Sequence, residues 1–360
     1  MNAFKVDGVD FILSEDDYEK ITINSHPKPY EVNFGAHSPK DQIADLLLEG
    51  DVLVIDSNVK TLYDVQYDGL VFEVEAREGN KNIQTVLSLA TFLSNNGFNK
   101  KNKLICVGGG ITQDIVAFCS KIYKRGISWI FLPTTLLSMC DSCIGGKTGI
   151  NYGGAKNQLA LFSSPSQIYI NAKFLETLEP QEIKSGCGEI VKLFAMAGEE
   201  HIDFFLQNHP LLSESINCDN LLNLIKMSLL IKKQIVEYDE FEFHIRQSLN
   251  YGHTIGHAIE VLTSYQVPHG VAVCIGMLAV DQIFNCENIK LQQACYPFLS
   301  DVKMGHLDSE SLRNLLLKDK KTIGTVCNFI VLNKPGEIRF IKKQIDDVLI
   351  QRIKLFLEKF

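Results

Sequence analysis

Residues 104–114, Leu-Ile-Cys-Val-Gly-Gly-Gly-Ile-Thr-Gln-Asp, pass from an unbroken apolar tetrapeptide into three glycines and then into a helical pattern that lasts to about Tyr123. A short apolar run closed by glycine reads as a strand buried on both faces, and the turn after it hands the chain to a helix. The neighbouring segments repeat that alternation. Asp51–Asp56 and Leu70–Val74 read as strands, Ile83–Asn95 as a helix, and Trp129–Leu132 as a strand that Pro133 stops. This rhythm predicts a mostly parallel α/β sheet. After about residue 172 the period changes. Helical spacing runs through Pro180–Ala197, Leu221–Val236, Gly252–Thr263, Ala272–Asn285 and Ser309–Leu317, with little strand signal before Cys327–Leu332. The expected division is an α/β nucleotide-binding domain over 1–172 and a largely α-helical domain over 173–360.

Composition narrows the function. The 360 residues are 46% hydrophobic and 22% charged, with a net charge of −8, which argues against nucleic acid or an anionic membrane as the main partner. The opening MNAFKVDGVDF lacks the pattern of a signal peptide. The longest apolar run, Gly270–Val280, falls short of the ~20 residues of a membrane span. The expectation is a cytoplasmic protein. Its ten cysteines lie mostly inside apolar stretches, as small buried hydrophobes do in a reducing compartment.

Residues 140–151, CDSCIGGKTGIN, admit three readings. Cys140-x-x-Cys143 lacks a second pair to complete a zinc site and does not open a helix after a strand, so the sulfurs read as buried. Gly146-Lys147-Thr148 lacks the glycine at 141 and the preceding strand that a P-loop needs. Asp141 and Lys147 could instead be plain active-site charges. The turn at Gly108–Gly110 lets a backbone approach a pyrophosphate at a helix start, although Gln113 breaks the G-x-G-x-x-G spacing. Asp56, at a strand end, either accepts from a ribose hydroxyl or caps the next helix.

The strongest signal is Asn250-Tyr-Gly-His253-Thr-Ile-Gly-His257-Ala-Ile-Glu260, followed by Pro268-His269-Gly270. Histidines at i and i+4 share a helical face and supply two metal ligands, or one ligand and one acid/base. Glu189, in an apolar helical stretch, offers the missing carboxylate. Lys147, Lys156, Lys192, Lys232, Arg246 and Lys320 cluster around these motifs in an acidic chain. Their convergence would suit a small, multiply anionic substrate.

Taken in order, Asp56-Ser-Asn58, Glu78-x-x-Lys81, Gly108-Gly-Gly110 with Asp114, Arg125-Gly126, Pro133-Thr-Thr135, Asp141 to Asn151, Lys156-Asn157, Glu189-x-x-Lys192, Arg246, the Asn250 two-histidine motif, His269-Gly270 and Asp319-Lys-Lys321 resemble the 3-dehydroquinate synthase family of sugar phosphate cyclases. The resemblance implies an NAD-binding N-terminal domain and a helical, metal-binding C-terminal one. It puts zinc, with cobalt as the alternative, on Glu189, His253 and His269, leaving His257 near the phosphate ester. NAD contacts fall to Asp56, Asn58, Glu78, Lys81, Gly109, Gly110, Asp114, Thr134, Thr135 and Lys156. Lys232 and Arg246 match positions that grip the substrate carboxylate. Lys147, Asn157, Asn250 and Lys320 match positions around the phosphate, and Asp141 and Lys192 positions near the ring hydroxyls.

The implied reaction converts a seven-carbon keto-acid phosphate (DAHP) to 3-dehydroquinate in the shikimate pathway of aromatic amino acid biosynthesis. Its steps are transient oxidation, phosphate elimination, reduction, ring opening and internal aldol closure. A homodimer is implied too, with Arg125 reaching into the partner's site. Val271, Gln113, Ala155 and Cys187-Gly188 depart from the family pattern without removing a ligand or a gripping charge. The alternatives are a cyclase for amino-DAHP, a metal-dependent polyol dehydrogenase, for which the basic cluster has no use, and an inactive relative kept as a scaffold.

Overall fold

The computed structural model describes residues 3–13, 20–35, 37–210, 216–305 and 307–360. The chain forms two compact units, one from residues 15–179 and one from residues 1–14 together with 180–360. The junction thus falls at Glu179/Pro180 rather than 172/173, and the N-terminal segment joins the C-terminal unit. The reason is strand pairing. β1 (Ala3–Val6) forms a hairpin with β2 (Val9–Ile12), and β1 also lies parallel to a strand near the C-terminus.

The unit over 15–179 holds β3 (Lys20–Ile23), β4 (Tyr30–Phe34), β5 (Val52–Asp56), β6 (Leu70–Val74), β7 (Leu104–Gly108), β8 (Trp129–Pro133), β9 (Lys147–Tyr152), β10 (Ala155–Phe162) and β11 (Gln167–Ile170). Seven of them form a sheet in the order β3-β4-β11-β8-β7-β5-β6, parallel throughout except for β3, which runs antiparallel to β4. Its centre is dry. Val52 to Ile55 and Leu104 to Val107 are fully buried, each aliphatic side chain contributing roughly 1.5–3 kcal/mol of transfer free energy. That burial on both faces is why these strands are continuous apolar runs. β9 and β10 form a separate antiparallel ribbon with a bulge between Ala155 and Leu159. The ribbon carries no apolar alternation strong enough to announce it.

The C-terminal unit is helical around Pro180–Ala197, Cys218–Tyr238, His253–Leu262 and His269–Phe284, as the periodicity predicts. It also contains a five-stranded sheet, β12-β13-β14-β1-β2, that sequence reading anticipated only at β13. Here β12 is Thr322–Ile323, β13 Val326–Lys334 and β14 Glu337–Gln344. β14 reads Glu-Ile-Arg-Phe-Ile-Lys-Lys-Gln, and its charged outer positions hide the alternation of a strand with one solvated face.

Two of the buried histidines in this unit pack against aromatic rings. His201 stands edge-on to Phe194, and His209 stacks on Phe205 at 5.4 Å, with Nδ1 of each lacking a hydrogen-bond partner among the described residues. Burial holds both imidazoles below the usual histidine value. The folded state therefore resists a proton that the unfolded chain accepts below about pH 6.5, and stability falls as pH drops through that value toward the lower folded ones. His201→Phe and His209→Phe should each flatten the decline of Tm between pH 7 and pH 5, measured by thermal unfolding. An unaltered slope in both variants would refute that origin.

Candidate functional site

Three helices of the C-terminal unit bring the metal-ligand candidates together. Glu189 sits within Pro180–Ala197, a helix buried from Ser185 onward. His253 is the first residue of His253–Leu262, entered through Gly252 at φ +78, and His269 is the first residue of His269–Phe284. Glycines let these helices meet. A Cβ on Gly188 would overlap the carbonyl of Gly270, and a Cβ on Gly252 would lie 2.6 Å from the carbonyl oxygen of Val273. Without those two hydrogen-only positions the ligand-bearing turns could not approach.

The result is a tight cluster. Glu189 Oε1 lies 3.2 Å from His269 Nε2 and 3.4 Å from His253 Nε2. Two bonds of about 2.0–2.1 Å at a tetrahedral angle separate ligand atoms by about 3.3–3.4 Å, so the spacing suits a zinc-sized ion. Among the described residues, the buried Glu189 Oε1 makes no well-aligned hydrogen bond and faces only the two ring nitrogens, an arrangement that an ion would relieve. Its other oxygen pairs with the buried ammonium of Lys192, one helical turn on. Both imidazoles are anchored through Nδ1, His253 against the Tyr251 carbonyl at 3.1 Å and His269 against Glu260 Oε2 at 3.2 Å. Tyr251 is in turn hydrogen-bonded to the buried Asp281 at 3.1 Å, and Asn288 also donates to Asp281.

Electrostatics follow from this packing. Burial would raise Glu189, but Lys192 and the two histidines prevail and hold its carboxyl well below the usual range. Burial, aided by the nearby Lys192 ammonium, pushes His253 well down despite Glu189, leaving a neutral ligand-competent ring. Burial also opposes protonation of His269, yet its flanking carboxylates, Glu189 and Glu260, raise it to about 10. His257 shares the helix face, with its ring 5.3 Å from that of His253, and is exposed.

The same unit organises anion-binding candidates. Asp239 accepts from the backbone N–H groups of Phe243, His244 and Arg246, folding a loop that buries the Arg246 guanidinium, whose Nη1 donates to the Glu240 carbonyl. Burial pushes Asp239 up, but those three donors and Arg246 hold it below the ordinary carboxylate value. Lys232 is buried as well. Asn250 donates to Glu242 Oε1 at 3.1 Å, a partner with no sequence signal, because Glu242 sits at φ +61 in an irregular turn. Lys320 is exposed, whereas its neighbour Lys321 pairs with Asp319 at 2.9 Å.

In the other unit, the nucleotide-site candidates line the carboxyl ends of adjacent parallel strands. Asp56 ends β5, Gly109 and Gly110 follow β7, and Thr134 and Thr135 follow β8. Asp56 caps the helix at Ser57 by accepting from the Asn58 N–H at 2.8 Å. The Lys81 ammonium joins Asp114 Oδ2 at 3.0 Å to Asn157 Oδ1 at 2.7 Å, while Asp114 Oδ1 accepts from Thr148. Glu78 joins the same network through Asn151 at 2.8 Å. Burial raises Asp114 despite the Lys81 charge beside it.

Gln113 does not project over the helix start. Its amide exchanges hydrogen bonds with Ser142, next to Asp141. Lys156 and Arg125 are exposed, the latter at φ +63 in a turn closed by Gly126. Lys147 opens β9, a strand rather than a helix, so the chain has no P-loop there. Cys140 and Cys143 are buried, and their thiols face the carbonyls of Leu137 and Met139. Val271 is core.

The fold is one shared with solved synthases that carry NAD+ and a divalent ion. A 2-deoxy-scyllo-inosose synthase, solved with carbaglucose-6-phosphate, NAD+ and Co2+, superposes with a TM-score of 0.80 at 21% identity, covering 93% of this chain and 99% of its own. The 2-epi-5-epi-valiolone synthase ValA of Streptomyces hygroscopicus, solved with NAD+ and Zn2+, gives 0.77 at 21%, covering 92% and 97%.

The chain belongs to the 3-dehydroquinate synthase family. Residues 71–185 match the model for 3-dehydroquinate synthase N-terminal and residues 186–322 that for its C-terminal part. The 3-dehydroquinate synthase of Streptococcus thermophilus is 32% identical over 94% of this chain and all of its own length. The chain is accordingly an enzyme of the phosphate-eliminating, lyase kind.

The helix crossing gives a direct check. Gly188→Ala should force the Pro180–Ala197 helix away from Gly270, destabilising the protein by about 1–3 kcal/mol and spreading the three ligands. Denaturant unfolding and the zinc content of the purified variant measure both effects, and wild-type values would refute the packing argument.

Proposed function

We propose that this chain converts DAHP to 3-dehydroquinate and phosphate, using NAD as a recycled cofactor and one divalent ion held by Glu189, His253 and His269. The observation that carries the ligand assignment is the convergence of the two histidine Nε2 atoms on the buried Glu189 Oε1. When bound, the ion supplies Lewis acidity that makes a substrate hydroxyl easier to deprotonate and oxidise, and NAD accepts and returns the hydride.

The chain's own residues bind and position. Arg246 and Lys232 pair with the substrate carboxylate, and their burial strengthens that pairing by excluding water. Lys147, Asn157, Asn250, Lys320 and His257 are the residues assigned to the phosphate, and Asp141 and Lys192 those assigned to ring hydroxyls. Asp56, Asn58, Glu78, Lys81, Gly109, Gly110, Asp114, Thr134, Thr135 and Lys156 form the nucleotide site, supported by the Lys81–Asp114 network at the strand ends. Elimination leaves both ends of one molecule held for the aldol closure, an intramolecular advantage.

The reading places the enzyme in the shikimate pathway, in the cytoplasm, as a homodimer in which Arg125 reaches the partner's site. No helix among the described residues is long and apolar enough to cross a membrane.

Incubation of metal-replete protein with DAHP and substoichiometric NAD should release orthophosphate over many turnovers without net NADH. Stoichiometric NADH accumulation, or no phosphate, would sink the proposal. His269→Ala should abolish both zinc retention and phosphate release while leaving the far-ultraviolet circular dichroism unchanged. Zinc retained at wild-type stoichiometry by elemental analysis would count against that ligand.

A further inference from the structure

The geometry points to Glu260 as a positioning residue that acts through His269, holding its ring so that Nε2 faces Glu189; this rests on the metal-centre reading above. Among the described residues, two groups of side chains could hold an ion, Glu189/His253/His269 and His257/Glu260/His269, and they share one imidazole. Its two nitrogens face opposite carboxylates, Nε2 lying 3.2 Å from Glu189 Oε1 and Nδ1 3.2 Å from Glu260 Oε2.

An imidazole that ligates an ion through one nitrogen carries its single proton on the other. With that proton on Nδ1 and donated to Glu260, the Nε2 lone pair points to the first group and Nδ1 has none left for an ion in the second. Both nitrogens could ligate only if the ring lost both protons. The second group is therefore the outer shell of a single centre, and Glu260 is its orienting carboxylate. A carboxylate behind a ligating imidazole fixes the tautomer and makes the ring a stronger donor.

Glu260 is well placed for this. It sits two turns along the helix that His253 opens, so one rigid element carries a ligand and the support of the other histidine. Its side chain is 13% exposed, enough enclosure for the contact to resist competition from water. His253 has a weaker counterpart in the Tyr251 carbonyl, a neutral acceptor.

The test compares the full chain with Glu260→Gln and Glu260→Leu by equilibrium dialysis against zinc, and by the visible absorption of the Co2+-loaded proteins. The unaltered chain should bind one ion. Glu260→Leu should weaken binding about 10–100-fold and alter the Co2+ bands. Glu260→Gln, which keeps an accepting oxygen without the charge, should fall between. Thermal unfolding of the metal-free variants separates this from a folding defect, and the graded response of Gln and Leu is not expected of a merely structural side chain. Unchanged affinity and spectrum in Glu260→Leu would overturn the inference alone. Two ions per unaltered chain, the second lost in His257→Ala, would overturn it in favour of a second site. No ion in the unaltered chain would overturn the metal-centre reading and this inference together.

Discussion

A single buried carboxylate sets the terms for the C-terminal unit. Glu189 is 1% exposed in the middle of an apolar helix, where an isolated negative charge would not survive. Lys192 balances one of its oxygens, and the other faces two imidazoles. Removing either side would leave the opposite charge stranded, so the helix, the ion pair and the histidine pair form one electrostatic object. The close helix crossings at Gly188, Gly252 and Gly270 follow from that need, because no longer contact would bring the imidazole nitrogens within reach.

The other unit solves a related problem at the ends of parallel strands. Lys81 is nearly buried, and it links Asp114 on one helix to Asn157 in the β9–β10 ribbon. That link ties a glycine-led helix start, where backbone N–H groups are available, to the segment bearing Lys147. Lys81, Asp114 and Glu78 thus brace one another through protein contacts, and Asn151 and Thr148 complete the brace. These last two stood in the sequence beside Lys147 without a role, since a supporting amide or hydroxyl has no spacing signature of its own.

Much of the architecture was legible because burial writes itself into composition. Val52 to Ile55 and Leu104 to Val107 are apolar without interruption since both faces of the sheet are covered, and the helix over 309–317 was readable to the residue. Legibility failed where one face meets water or pairing is long-range. β14 carries charges at its outward positions, and β1 has its parallel partner more than three hundred residues away. The domain junction moved for the same reason. At the site, Glu189, His253 and His269 could be nominated from the family pattern, and the structure brings their ligand atoms together. Glu242 was not readable, because an irregular turn brings it to Asn250.

The sequence alone determined the family and the chemical inventory, because ligands and gripping charges must be particular residue types in a particular order. It also read Cys140 and Cys143 as buried sulfurs, since no second pair completes a zinc site, and the structure buries both. Only the tertiary structure decided which ring nitrogen faces which carboxylate, that Gln113 turns to Ser142, and that Lys321 rather than Lys320 pairs with Asp319. The first of these depends on where three helix axes cross and which rotamers the crossings permit. Such distances are set by contacts between residues remote in the chain, and no local pattern records them.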